Sequence, residues 1–274
     1  MKNNEITVLI VAYKSDEIIL KNLANLKNFN VIIIDNFKNS NLKNKINDFI
    51  NIKYIKNDKN SGEACGDDKG LKLKNIFLRY TNIGLLSPLH FNEKNEYVVN
   101  YFTHPFDQKI KRNNFEKKIF KLLNNIKPTG DFFPRWMRGA PLFFNTDLIK
   151  KIGFFDTSFF LYFEDVDLCD RIIKNKLKVI ITPEAFCYHL NPNYQSKSIK
   201  YLFLTSSNFI FSQMLYYNKN NHIILKFYLR GFEFFFNSII YLFKFNRNKF
   251  FQNIFRIFGI FKFFFFTISK KIKF

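Results

Sequence analysis

The chain has 274 residues, enough for one sizeable domain and an appendage. Lys and Arg number 43 against 22 Asp and Glu, a formal charge of +21, so an anionic partner is expected: nucleic acid, an acidic membrane surface or a phosphorylated substrate. The three cysteines, Cys65, Cys169 and Cys187, lack metal-ligand spacing, which argues against a disulfide framework and for a reducing compartment. Met1-Lys-Asn-Asn-Glu5 leads straight into a strand-like run, so no signal peptide is expected. No transmembrane span is expected either; the nearest approach is residues 201–218, which carry several polar side chains.

Ile6-Thr-Val-Leu-Ile-Val11 is a continuous, β-branched run and predicts a buried parallel strand. Ser15-Asp-Glu17 starts a helix whose period is carried by Ile18, Ile19, Leu23 and Leu26. Val31-Ile-Ile-Ile-Asp35 is a second buried strand ending in an acid, residues 42–50 read as a helix, and 52–55 as a third strand. Strands alternating with helices predict a doubly wound α/β sheet, whose ligands bind outside the carboxyl ends of the strands. Tyr13, Asp35 and the loop after Ile55 therefore share one edge. The glycine-rich loop over residues 60–70 reads as a turn before a helix or, less often, as a phosphate cradle. Residues 83–88, 97–101, 142–144 and 178–181 read as strands, 147–152 and 163–175 as helices, the first of these closed by Gly153, and 109–125 as a charged, amphipathic helix or a mobile loop.

The last of these helices follows a dense aromatic run and opens with Glu164 and Asp165 side by side, with Asp167 two residues on. Carboxylates beside apolar bulk can have raised pKa values and act as bases. Acids also gather in first turns because they complement the helix dipole. The residues alone leave both readings open.

Beyond Gln195 the composition changes. From Lys197 onward there are 13 Lys or Arg and a single acid, Glu233, and more than half of the 39 Phe follow Tyr201. Polar positions recur at helical spacing, first His222, Lys226, Arg230, Glu233 and Asn237, then Lys249, Gln252, Asn253, Arg256 and Lys262. Such stripes suit helices lying in a membrane interface. The competing reading is a helical bundle with solvated cations; the scarcity of acids and Phe263-Phe-Phe-Phe266 favour the interface. The expected domains are 1–195 and 196–274.

Several segments stand in a telling order: Val11-Ala-Tyr-Lys-Ser15, Ile34-Asp-Asn36, Asn60-x-Gly62 with Asp68-Lys-Gly70, Ile83-Gly-Leu-Leu-Ser-Pro88 and Trp136-x-x-Gly-Ala140. They lead to Gly153-x-Phe-Asp156 and Phe160-Leu-Tyr-Phe-Glu-Asp-Val-Asp-Leu-Cys-x-Arg171, then His189. Together they resemble a family 2 glycosyltransferase of the inverting GT-A type, and within it the rhamnosyltransferase-like enzymes of bacterial cell-surface polysaccharide synthesis. The resemblance implies a GT-A fold, a Rossmann-like and mostly parallel doubly wound sheet, here followed by C-terminal amphipathic helices. It implies Asp165 as catalytic base, with Glu164 orienting the acceptor or tuning Asp165. Tyr13, Asp35, Gly62 and Asp68 would bind the nucleotide sugar. Trp136, Arg138 and Gly139 would form the acceptor side, and His189 would stand near a metal, Mg²⁺ or Mn²⁺. The implied donor is a nucleotide sugar, dTDP-rhamnose being the expected one, and the acceptor a lipid-linked glycan. The implied place is cytoplasmic, peripheral on the inner face of the bacterial inner membrane. No nucleic-acid-binding motif is present, so no nucleic-acid partner is expected.

One departure stands out. The resembled family carries a strand ending in a carboxylate motif between the glycine-rich loop and the Ile-Gly-x-x-x-Pro strand, and that motif holds the metal on the donor diphosphate. Here residues 71–81 are Leu-Lys-Leu-Lys-Asn-Ile-Phe-Leu-Arg-Tyr-Thr, with no acid. A strand and a helix need roughly 20 residues, so a strand–helix unit is expected to be missing near 71–81. Three readings stay open. Asp67 or Asp68 takes the metal; Lys72, Lys74 or Arg79 neutralises the diphosphate; or the chain is a non-catalytic relative that binds without turnover.

Overall fold

The computed structural model describes residues 3–12, 16–35, 41–56, 76, 78–92, 94–102, 127–139, 141–188, 198–220 and 225–272. Tyr13, Gly62, Asp68 and His189 lie outside the described residues, as do Cys65, Asp67, Lys72, Lys74, His222 and the helix expected over 109–125. The architecture is mixed α/β, with parallel strand pairs and helices, followed by long C-terminal helices.

The chain forms two compact units. The first comprises Met1–Phe154 and Leu168–Asn191, the second Phe155–Asp167 and Pro192–Phe274. In the first, Asn3–Ala12 (β1), Phe29–Asp35 (β2) and Ile52–Lys56 (β3) form a parallel sheet in the order β1-β2-β3. Asp16–Leu23 (α1) and a 3₁₀ turn, Ala24–Leu26, connect β1 to β2. The β-branched runs bury Ile6, Ile10, Val31 and Ile33 against Leu23, Leu26 and Leu42. Leu42–Lys45 (α2) is shorter than the expected 42–50 helix. Asn47 and Asp48 are poor helix residues, and the Asn51 amide is spent on the Leu26 and Phe29 carbonyls, each at 2.9 Å.

A second sheet follows. Ile83–Phe91 (β4) pairs in parallel with Lys178–Tyr188 (β8) and, at its end, antiparallel with Tyr97–Val98 (β5). The expected 97–101 strand is split. Asn100 is fully buried and donates to the Pro88 carbonyl at 2.9 Å, so the chain breaks before Tyr101–Phe102 (β6), which pairs with Trp136–Met137 (β7). Strand β8 runs seven residues past the expected Ile181, because Glu184 pairs with Arg79 and the Phe186 and Tyr188 rings pack on Phe91. The expected 142–144 strand contributes one isolated bridge, Phe143 to Leu86.

Among the described residues, no strand lies between Lys56 and Ile83, and no hydrogen bond joins β1 to the second sheet. Ile76, Leu78 and Arg79 are helical and lead directly into β4. The Phe143 side chain packs against the core of the first sheet and also against Ile76, Ile83, Leu86, Ile180 and Ala185 of the second.

Thr146–Ile152 (α3) starts on the Asn145 side chain, which accepts from the Asp147 and Leu148 N–H groups, and ends at Gly153. Gly153 has φ of +92°, where a side chain would be strained. The cut between the units falls within Glu164–Lys174 (α4).

The helical unit contains Ile199–Lys219 (α5), Leu225–Phe243 (α6) and Arg247–Ile272 (α7). Helices α5 and α7 approach closely at Gly259, where an added Cβ would stand 2.4 Å from the Ser207 carbonyl oxygen. Along its length helix α5 buries the polar residues Ser206, Ser207, Asn208, Ser212 and Gln213 besides its apolar ones. The sequence named residues 201–218 as the nearest approach to a membrane span. Among the described residues, the helix with the length and apolarity to cross a bilayer is instead Arg247–Ser269. Cys169 and Cys187 are buried.

Candidate active site

The aromatic run preceding α4 is clamped within the helical unit. Tyr162 and Phe163 both have φ of +69°. Two consecutive bulky residues in the left-handed region cost of order 1–3 kcal/mol each, and such strain persists only where the surroundings impose it. Helix α5 imposes it. The Ser212 hydroxyl donates to the Leu161 carbonyl at 2.8 Å. The Phe209 ring meets Tyr162 at 5.5 Å and Phe163 at 5.6 Å, and Tyr216 covers Phe163 from 5.9 Å. The chain then turns into α4, whose Asp167 N–H donates to the Phe163 carbonyl at 2.9 Å.

The acids of this first turn are not equivalent. Asp167 is buried and accepts from the Lys219 ammonium at 2.6 Å; Asp156 accepts from the same ammonium at 2.7 Å. Burial alone would raise the Asp156 carboxyl, but Lys219 and the Ser158 N–H together bring it down to about 2. Burial opposes the charge on Lys219, and its two carboxylates overcome this and raise its pKa above the ordinary value. Glu164 and Asp165 are half-exposed at the helix start, and the Asp165 carboxylate accepts the Val166 N–H at 2.8 Å. A half-exposed carboxylate held at the start of a helix can accept a proton from a bound hydroxyl.

Further along α4, in the α/β unit, two side chains serve as anchors. The Trp136 indole N–H donates to Asp170 at 2.8 Å. Trp136 is 4% exposed, and the Arg135 guanidinium lies over its ring at 4.4 Å. Its face is therefore covered by Arg135, and it acts as an anchor for the Arg138 and Gly139 that follow. Arg138 is exposed, and its N–H donates to the Asn100 carbonyl at 2.8 Å. The Arg171 guanidinium reaches the Ile152, Gly153 and Phe154 carbonyls at 3.2, 2.5 and 2.7 Å. A planar fork of donors is what such a helix end requires. Arg171 thus ties the glycine turn to α4.

At the carboxyl edge of the first sheet, Ala12, Asp35 and Lys56 fall in register. Asp35 is fully buried and accepts from the Tyr54 hydroxyl at 2.7 Å. Sequence reasoning missed two neighbours of this acid. The sequence marks Tyr54 only as strand, although alternation puts it two residues before the strand's end. It places Lys56 in the loop after Ile55, although Lys56 is in register with Asp35. Lys219 was also missed, and no local signal marks it, since it lies 52 residues from Asp167. Arg79, a candidate for the diphosphate, is instead held by both oxygens of Glu184.

Among the described residues, no three His, Cys, Asp or Glu side chains converge. Asp35, buried and holding the Tyr54 hydroxyl, does not offer an open carboxylate to a divalent ion. His189, which the resemblance sets near the metal, and Asp67 and Asp68, the candidates to take it, lie outside the described residues.

No protein-family model and no curated protein matches this chain. Solved structures are similar to it. The crystal structure of GalNAc-T7 with UDP, GalNAc and Mn²⁺ is similar over 76% of this chain and 50% of that one, with 12% identity and a TM-score of 0.45. The chain thus spans half the length of that protein. A likeness of this degree decides neither fold family nor activity.

Proposed function

We propose that the chain is a GT-A glycosyltransferase of the inverting, family 2 kind, acting with a nucleotide sugar and a glycan acceptor. The observation that carries the reading is the Glu164–Asp165 pair, set at a helix start by two left-handed aromatic residues that α5 clamps. Strain of that size is retained where a group must be held for a task. The ordered motifs, from the edge at Asp35 to Arg171, support the same reading.

In the proposed reaction the Asp165 carboxylate takes the proton of an acceptor hydroxyl. The acceptor oxygen forms a bond to the anomeric carbon as the bond from that carbon to the diphosphate oxygen breaks. The nucleoside diphosphate leaves with the electron pair, and inversion follows from in-line displacement. Glu164 orients the acceptor, Asp35 with Tyr54 supports the nucleoside, and Arg138 and Gly139 lie on the acceptor side. Trp136, Asp170 and Arg171 act as positioning residues. The proposed donor is dTDP-rhamnose and the proposed acceptor a lipid-linked glycan, which suits a basic, Phe-rich C-terminal unit. Purified protein given dTDP-rhamnose and membrane lipid extract is expected to release dTDP. A folded protein that turns over no nucleotide sugar sinks the proposal.

A second reading is favoured by residues 71–81, which carry no acid where the resembled family places its metal carboxylate. It is a non-catalytic relative that binds a glycan or lipid. Titration calorimetry with nucleotide sugars separates the two, since tight donor binding contradicts this second reading.

A further inference from the structure

Helices α6 and α7 carry apolar side chains on both their buried and their exposed faces. Phe227, Phe234, Ile260 and Phe263 are buried. Part of the charge is drawn in with them: Arg230 stacks over Phe227 and Phe234 of its own helix at 5.6 and 5.3 Å, and Arg256 of α7 over Phe234 at 5.4 Å. Lys262 donates to the Asn208 side chain at 2.6 Å. Ser238 and Asn253 are buried, while Phe232, Phe236, Phe258, Phe261 and Phe265 are exposed. A helix of a water-soluble bundle buries one apolar stripe and turns polar residues outward. A second, exposed phenylalanine face is what an interfacial helix lays against lipid.

The turn joining the two helices makes the case sharper. The Asn246 N–H donates to the Tyr241 carbonyl and the Phe245 N–H to the Leu242 carbonyl, both at 3.0 Å. This is a Schellman closure, whose left-handed position is ordinarily glycine or asparagine. Here it is Phe245, with φ of +51°, and its side chain is 96% exposed. Folding gains nothing from a bulky ring there. Leu242 and Phe243 are exposed beside it, and so are Lys244, Arg247 and Lys249.

We propose that the α6–α7 hairpin seats its phenylalanine face in the surface of an anionic bilayer, with the tip at residues 242–249 as the insertion point. The Phe rings enter the acyl boundary and the tip cations meet lipid phosphates. The pair lies in the interface, because crossing would carry three tip cations through hydrocarbon. Charge selects the occupant. Residues 197–274 hold 13 Lys or Arg against Glu233 alone, so a second copy brings like charges together, whereas anionic lipid complements them. The inference rests on the helices alone and is independent of sugar transfer.

The test is flotation of the full chain with phosphatidylcholine vesicles, with and without phosphatidylglycerol. Binding is expected only to the anionic vesicles and is weakened by salt. Replacing Lys244, Arg247 and Lys249 by Gln is expected to weaken it about fivefold per charge. Phe245→Gly separates lipid contact from folding, since it should raise the melting temperature by relieving the left-handed position and still weaken vesicle binding. Absence of binding to anionic vesicles overturns the proposal. So does binding that neither substitution changes, or a lipid-free dimer that the Phe245 change dissolves.

Discussion

Lys219 is the residue on which the approach to α4 depends, because it serves two carboxylates from different turns of the chain. The pH dependence follows from its partners. Asp156 falls from an ordinary 3.8 to about 2 in the folded protein, so its contribution is complete above the ordinary value and is lost as the pH falls toward 2. Lys219 is shifted upward, so its contribution is present through neutral pH and disappears at alkaline pH, above its ordinary 10.5. Lys219→Met leaves the buried Asp167 without that ammonium and should cost about 3 kcal/mol. Urea unfolding at stepped pH should show this loss at neutrality and a flatter acid limb. Asp35, by contrast, was legible in the sequence as a strand-ending acid. Its bond to Tyr54 was not, because strand register is a property of the pairing between strands.

Helix α4 divides its labour along its length: Glu164 and Asp165 at the start, then Asp170 and Arg171 as anchors. Arg171→Ala removes donors from three carbonyls and should destabilise by about 2 kcal/mol, with Arg171→Lys intermediate because an ammonium cannot reproduce the fork. Thermal unfolding of the three proteins checks the order. At the α5–α7 contact, Gly259→Ala forces a Cβ to 2.4 Å from a backbone oxygen, and the helices must separate at a cost of about 1–3 kcal/mol. Gly231→Ala is the control. Its nearest atom is the flexible tip of Ile260 at 3.3 Å, and the gain in helix propensity should leave stability unchanged or higher. The strands of the first sheet were readable from their β-branched runs, and α3 from its glycine stop. The cut-short α2, the divided 97–101 segment and the long β8 were not, because each is set by a distant partner: Asn51, Asn100 and the Arg79–Glu184 pair. The polar stripes of α6 and α7 were also legible, but periodicity says only that a helix has two faces. Which face turns inward was decided by Gln213, Asn208 and the Phe rings that receive the cations.

At the scale of the molecule, the absence of an acid from residues 71–81 was legible by counting residues, and the described strands form three sheets, with Phe143 packed against the cores of the two larger ones. The net charge of +21 found its place in the same way. Its C-terminal share lies partly against aromatic rings inside the helical unit and partly at the exposed 244–249 tip. The central claim is that Asp165 is the base of a sugar-transfer reaction. The direct measurement is release of dTDP from dTDP-rhamnose, with membrane lipid extract as acceptor, by the natural chain and by Asp165→Asn. The asparagine keeps the size and can still accept the Val166 N–H, but it cannot take a proton. Removing a general base should lower the rate about 10³-fold while the melting temperature holds. Equal release by the two proteins would contradict the account.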